Sequence, residues 1–243
     1  MELNFYCLTY KRQCQQEEKY VPFHESSFAM FKDTVLTKNA AIEAQFFPPV
    51  GFFSIYAKFN QIYLLKSERF EKQTYRSRCR ILGSNKVQNL TVPVQKGKTQ
   101  LISGQVKVIY RDNWQVQHLR TIAAAYGRAP YFDHYFPQVE ELMLKRHDSI
   151  YQFNLHTIRW AEKQLGFESA VEWGESYESF DGVDLRSIIH PKRPCAVEID
   201  GFSIGNESNL KPYFQCFDHS GFVPNLSILD LLFNMGPEAR TYL

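Results

Sequence analysis

The chain has 243 residues, with 28 Lys and Arg against 26 Asp and Glu; 44% of it is hydrophobic and 15% aromatic. A formal charge of +2 excludes bulk electrostatics as a basis for nucleic-acid or membrane binding, so any anion binding has to come from local charge. No stretch nears the roughly 20 apolar residues of a membrane span. The five scattered cysteines, with no CxxC and no zinc-ligand spacing, predict reduced thiols and a cytoplasmic location.

Taken in order, residues 1–33 show no sustained period and read as an extension, which places the domain at 34–243. Residues 41–47 form an extended run stopped by Pro48-Pro49. Phe52, Phe53, Tyr56 and Phe59 recur at helical spacing, and residues 61–65 read as a short buried strand. The three pieces make a βαβ unit and imply parallel pairing. Strands are expected at 89–94 and 105–110. Helices follow: one capped by Asp112 or Asn113, one opened by Pro137, one running from Asp148 to a stop at Gly166, and one capped by Asn225. The fold class is therefore α/β (or α+β), a single mixed sheet with its helices concentrated in the second half.

The segment ERFEKQTYRSRCRIL, residues 68–82, is the charge anomaly in this nearly neutral chain. Read as a strand of period two, it puts Lys72, Thr74, Arg76, Arg78 and Arg80 on one face. Such a row needs acids from elsewhere in the fold, solvent, or an anionic ligand. Guanidinium forks grip phosphate or carboxylate through paired hydrogen bonds, so Arg76 and Arg78 are the leading ligand candidates, with Lys72 beside them.

His190, in the stretch IIHPK, has the titration range of a general base and Lys192 as a nearby cation. Asp184 and Arg186 are expected to order the same loop as a local ion pair. His118 follows Trp114 by four residues and lies over it, and it joins Asn225 among the ligand candidates. Asp230, a lone acid in an apolar helix, is expected to pair with the basic strand. Cys79 reads as a core cysteine. A site is expected where the basic strand meets the Pro48-Pro49 turn, the 188–192 loop and the helix start after Asn225. No nucleophile motif, phosphate loop or cofactor signature is present.

Several of these stretches together resemble the WbqC-like family of bacterial proteins. The matching segments are PPVGFF (48–53), EKQTYRSRCRILGSN (71–85), NLTVPV (89–94), Trp114 with His118 and Arg120, APYFDHY (129–135), DLRSIIHPK (184–192) and GFVPNLSILDLLFNMGPEA (221–239). Ile42-Glu43-Ala44 departs from the pattern, standing where many relatives carry His-Gln-Pro. The resemblance implies a role in surface-polysaccharide (O-antigen-type) biosynthesis, as a transferase moving a glycyl, other aminoacyl or acyl group onto an amino sugar. On that reading Arg76 and Arg78 hold an anionic donor, such as a nucleotide sugar or acyl donor, and His190 is the base. The alternative is a non-catalytic binding or scaffold protein whose cationic pocket takes a sugar phosphate or a carrier protein's phosphate.

Overall fold

Glu43, Leu65 and Asp184 end three parallel strands at the same edge of one sheet, and the molecule is built around that edge. The structure is a computed structural model and describes residues 36–95, 101–168, 170–173, 180–192, 196–199, 202–205, 207–217 and 221–243. The expected extension at 1–33 lies outside the described residues. Strands β1 (Leu36–Glu43), β2 (Phe59–Leu65), β5 (Val171–Trp173) and β6 (Val183–Asp184) form a four-stranded sheet in the order β5-β2-β1-β6, with every pair parallel. Ala40, Ala41 and Ile42 of β1 are all buried, as expected for a parallel strand covered on both faces. Helix α1 (Val50–Tyr56) crosses from β1 to β2, so the βαβ unit is present. Phe59 opens β2 rather than extending the apolar face of α1.

The antiparallel pairing sits apart from this sheet, in two hairpins: β3 (Arg78–Leu82) with β4 (Val87–Thr91), and β7 (Val197–Ile199) with β8 (Phe202–Ile204). Residues 105–110 are not a strand. Val106 and Val108 point inward as alternation predicts, but this segment makes only isolated bridges, Val94 to Val108 and Lys107 to Ser149.

Helices α2 (Trp114–Tyr126), α3 (Phe132–Leu144), α4 (Ile150–Leu165) and α5 (Ile228–Met235) fill the second half. Helix α3 starts five residues before Pro137, which lies inside it. The stacked rings of Phe132 and Phe136, 4.6 Å apart, and the packing of Phe132 on Phe233 hold that first turn despite the missing N–H. Ser149, not Asp148, caps α4 by accepting from the Gln152 N–H, and Gly166 ends it at φ 66°.

Helix α5 is buried on all sides. Its cap is Ser227, not Asn225: the Ser227 hydroxyl accepts from the Leu229 N–H and donates to the Phe47 carbonyl. Ser227→Ala is therefore expected to cost about 1–2 kcal/mol, read as a lowered urea midpoint with an unchanged slope.

Candidate functional site

Four stretches singled out in the sequence meet at the carboxyl edge of the sheet. The Phe46 N–H donates to the Tyr75 carbonyl, and the Val50 N–H to the Leu226 carbonyl. Ser227 N–H bonds the Arg80 carbonyl, Ile228 N–H bonds the Pro48 carbonyl, and Gln45 Nε2 reaches the Ile189 carbonyl. The proline turn, basic segment, IIHPK loop and α5 start thus share one backbone network. In open parallel sheets the crevice outside the strand carboxyl ends is the usual ligand site, at the point where the strand order reverses. Here the order reverses beside β1, because β2 and β5 extend to one side and β6 pairs on the other.

Beneath this edge lies a buried charge cluster. Residues 71–77 are turns, not strand: Thr74 Oγ1 donates to the Glu71 carbonyl, Ser77 N–H to the Thr74 carbonyl, and Gln73 has φ 61°. The turn breaks the expected alternation and sends Arg76 inward, where it is 4% exposed. Its Nε and Nη2 donate to the two Glu68 carboxylate oxygens at 2.9 and 2.7 Å, and Nη1 lies 3.6 Å from Glu43. Glu68 from the same segment and Glu43 from β1 therefore answer Arg76, so its guanidinium is paired inside the protein where a ligand contact was expected. Burial raises the Glu68 carboxyl to about 7, against the lowering pull of Arg76. Burial would lower the Arg76 pKa, but Glu43, Glu68 and Glu71 outweigh it and raise it.

Glu43 also ties in the IIHPK loop, accepting from the Ser187 N–H at 3.0 Å and from Gln45 Nε2 at 3.0 Å. His190, 6% exposed, accepts the Lys192 N–H on Nδ1, so the neutral ring carries its proton on Nε2, which lies 3.7 Å from Glu71. In this geometry Nε2 faces the half-exposed Glu71 carboxylate at a distance beyond hydrogen-bond length. Lys192 Nζ donates to Gln73, joining the loop to the turn. Lys72 is exposed on that turn. Asp184 and Arg186 form a forked ion pair, with Nη2 to Oδ2 at 2.7 Å.

Arg78 and Arg80 remain on one face of the β3–β4 hairpin, opposite Thr91 and Asn89. Arg80 Nη1 donates to the Tyr75 hydroxyl at 3.4 Å. Arg78 Nε is buried and makes no hydrogen bond among the described residues. Cys79 faces the other way, 1% exposed, and burial raises its thiol pKa.

Three candidates serve the scaffold. Asn225, at φ 54°, accepts the Gly51 N–H on Oδ1 and donates to Glu207 through Nδ2. A Cβ at Gly51 would meet Asn225 Oδ1 at 2.9 Å, which is why glycine stands there. His118 packs edge-on against the Trp114 indole at 5.2 Å, and burial lowers its pKa to about 4. Asp230 is corrected: it accepts from Tyr213 and Gln215 instead of the basic strand, and burial raises its carboxyl to about 6 against those hydrogen bonds.

Glu43, Glu68, Glu71 and Glu207 were missed as site residues in the sequence reading, although Glu68 and Glu71 stand in the cationic segment itself. Glu43 had a signal, as the one charge in the apolar run AAIEAQFF; Glu207 had none.

The fold and site define an α/β protein whose polar centre sits at the carboxyl edge of a small parallel sheet. The chain belongs to the WbqC-like protein family, whose model matches residues 43–195 and 203–242. It is similar to the uncharacterized protein Rv1507c of Mycobacterium tuberculosis, 26% identical over 227 residues that cover 86% of this chain and 98% of that protein. No solved structure matches. Among the described residues no helix is long and apolar enough to cross a membrane.

Proposed function

We propose that this WbqC-like protein acts in bacterial surface-polysaccharide synthesis, binding an anionic donor and moving its aminoacyl or acyl group onto a sugar amine. The observation that carries the anion site is Arg78: a buried guanidinium N–H without an acceptor among the described residues, on the same hairpin face as Arg80. Buried donors are nearly always paired, and a phosphate oxygen supplies the matching acceptor. The pairing moves from Arg76 and Arg78 to Arg78 and Arg80, since Glu68 and Glu43 occupy Arg76. In the transferase reading Glu71 takes the amine proton, with the His190 ring 3.7 Å from that carboxylate.

The orientation of His190, with its lone pair taken by the Lys192 N–H, favours a second reading: a binding protein for a sugar phosphate or a carrier protein's phosphate. One set of measurements separates the two. Uridine diphosphate N-acetylglucosamine and phosphopantetheine-bearing carrier protein are each expected to raise the thermal midpoint. The variant Arg78→Gln with Arg80→Gln is expected to abolish that rise, and an unchanged rise removes the hairpin face as the site. Mass detection of an acylated amino sugar, lost in Glu71→Gln while the thermal rise persists, marks the enzyme. Binding without product marks the binding protein.

A further inference from the structure

A second polar cleft, of about 110 Å³, opens beside α1, and its lining includes Gly51, Lys58, Ile189, Glu207, Lys211 and Asn225. The volume equals that of about four waters of bulk liquid, so it accommodates a small molecule or one end of a larger one. Its charges are of both signs, yet Glu207 and Lys211 make no ion pair among the described residues. Glu207 is held by one oxygen only: Oε1 accepts from Asn225 Nδ2 at 2.9 Å, and Oε2 makes no hydrogen bond among the described residues. Asn225 is itself fixed by the Gly51 N–H, so the carboxylate is presented by a rigid arm built on α1. Lys211 Nζ has only a 3.5 Å contact with the Thr241 carbonyl and lies 4.7 Å over the Tyr242 ring. Lys58 is answered in part by Glu198, which leaves Lys211 as the cation with capacity to spare.

An acid and a base that share a small cleft without pairing can be bridged by a ligand of the opposite polarity. We propose that this cleft binds a small zwitterion, or the zwitterionic end of a larger ligand, with its primary amine on Glu207 and its phosphate or carboxylate on Lys211. The idea does not rest on the Arg78–Arg80 face, which uses different residues and fails by a different test.

Calorimetric titration of the intact protein with phosphoethanolamine, ethyl phosphate and ethanolamine at pH 7 tests it. A charge-assisted hydrogen bond at each end predicts that phosphoethanolamine binds roughly tenfold more tightly than either single-charge fragment. Glu207→Gln is expected to erase the advantage over ethyl phosphate, and Lys211→Met to erase the advantage over ethanolamine. β-Alanine, run beside propionate, tells a carboxylate-seeking cleft from a phosphate-seeking one. Equal binding of each zwitterion and its amine-free counterpart overturns the proposal. So does an absence of binding by all five compounds, or variants that bind as the parent does.

Discussion

Arg76→Leu is expected to destabilise the protein by about 3–5 kcal/mol, because it leaves two buried carboxylates without their cation. Glu43 is 1% and Glu68 7% exposed, so solvent cannot replace the guanidinium. At a few degrees per kcal/mol for a domain of this size, the thermal midpoint should fall by about 10 °C or more. The loss is expected to shrink as pH falls, because Glu68, whose carboxyl burial raises and which in the variant no longer has the lowering pull of Arg76, takes up a proton and removes the repulsion. Arg76→Lys should cost less than Leu yet more than nothing, since an ammonium cannot reproduce the fork to both Glu68 oxygens. Glu68→Gln should be the mildest of the three, as it lowers the excess of acid over base. A midpoint for Arg76→Leu within 2 °C of the parent would show that the cluster contributes little to stability.

The second large effect is a pH profile with two opposing parts. Burial lowers His118 and His147 to about 4, with His156 and Lys145 adding to the shift at His147. Unfolded, each binds its proton near 6.5, so their contribution is complete above that pH and is lost as pH falls from 6.5 to 4. Glu68 and Asp230 run the other way. Folded, they keep their protons up to about 7 and 6, whereas the unfolded carboxyls release them near 4. Their contribution is complete below pH 4 and is lost as pH rises through 6 and 7. Each group is worth at most about 3 kcal/mol, so the parent's profile is expected to be flatter than any single group implies. Single variants should separate the parts. The midpoint of His147→Phe should gain on the parent as pH falls from 6.5 to 4. That of Asp230→Asn should gain as pH rises from 4 to 7. Variant-minus-parent differences that do not change with pH would contradict the assignment.

Local rules made much of this molecule legible from its residues. The ring spacing at Phe52 and Phe53 and the stop at Gly166 determined α1 and the end of α4, because each depends on neighbours in the chain, whereas β1 ends at Glu43, short of the expected stop at Pro48-Pro49. The same reading named the four segments that converge at the carboxyl edge of the sheet. It misassigned their side chains where one turn intervened. A strand pattern assumed through residues 72–80 put five residues on one face; the turn at 71–77 sent Arg76 into the core and left Arg78 and Arg80 behind. Charge pairing is set at more than one range: Arg76 meets Glu68 within its own segment and Glu43 across 33 residues, and Asp230 meets Tyr213 and Gln215 rather than the basic strand. Composition and spacing thus determined that a cationic segment is present and where it lies. Only the tertiary structure decided which guanidinium is neutralised and which two share a face, because burial, not sequence distance, sets the partner of a charge.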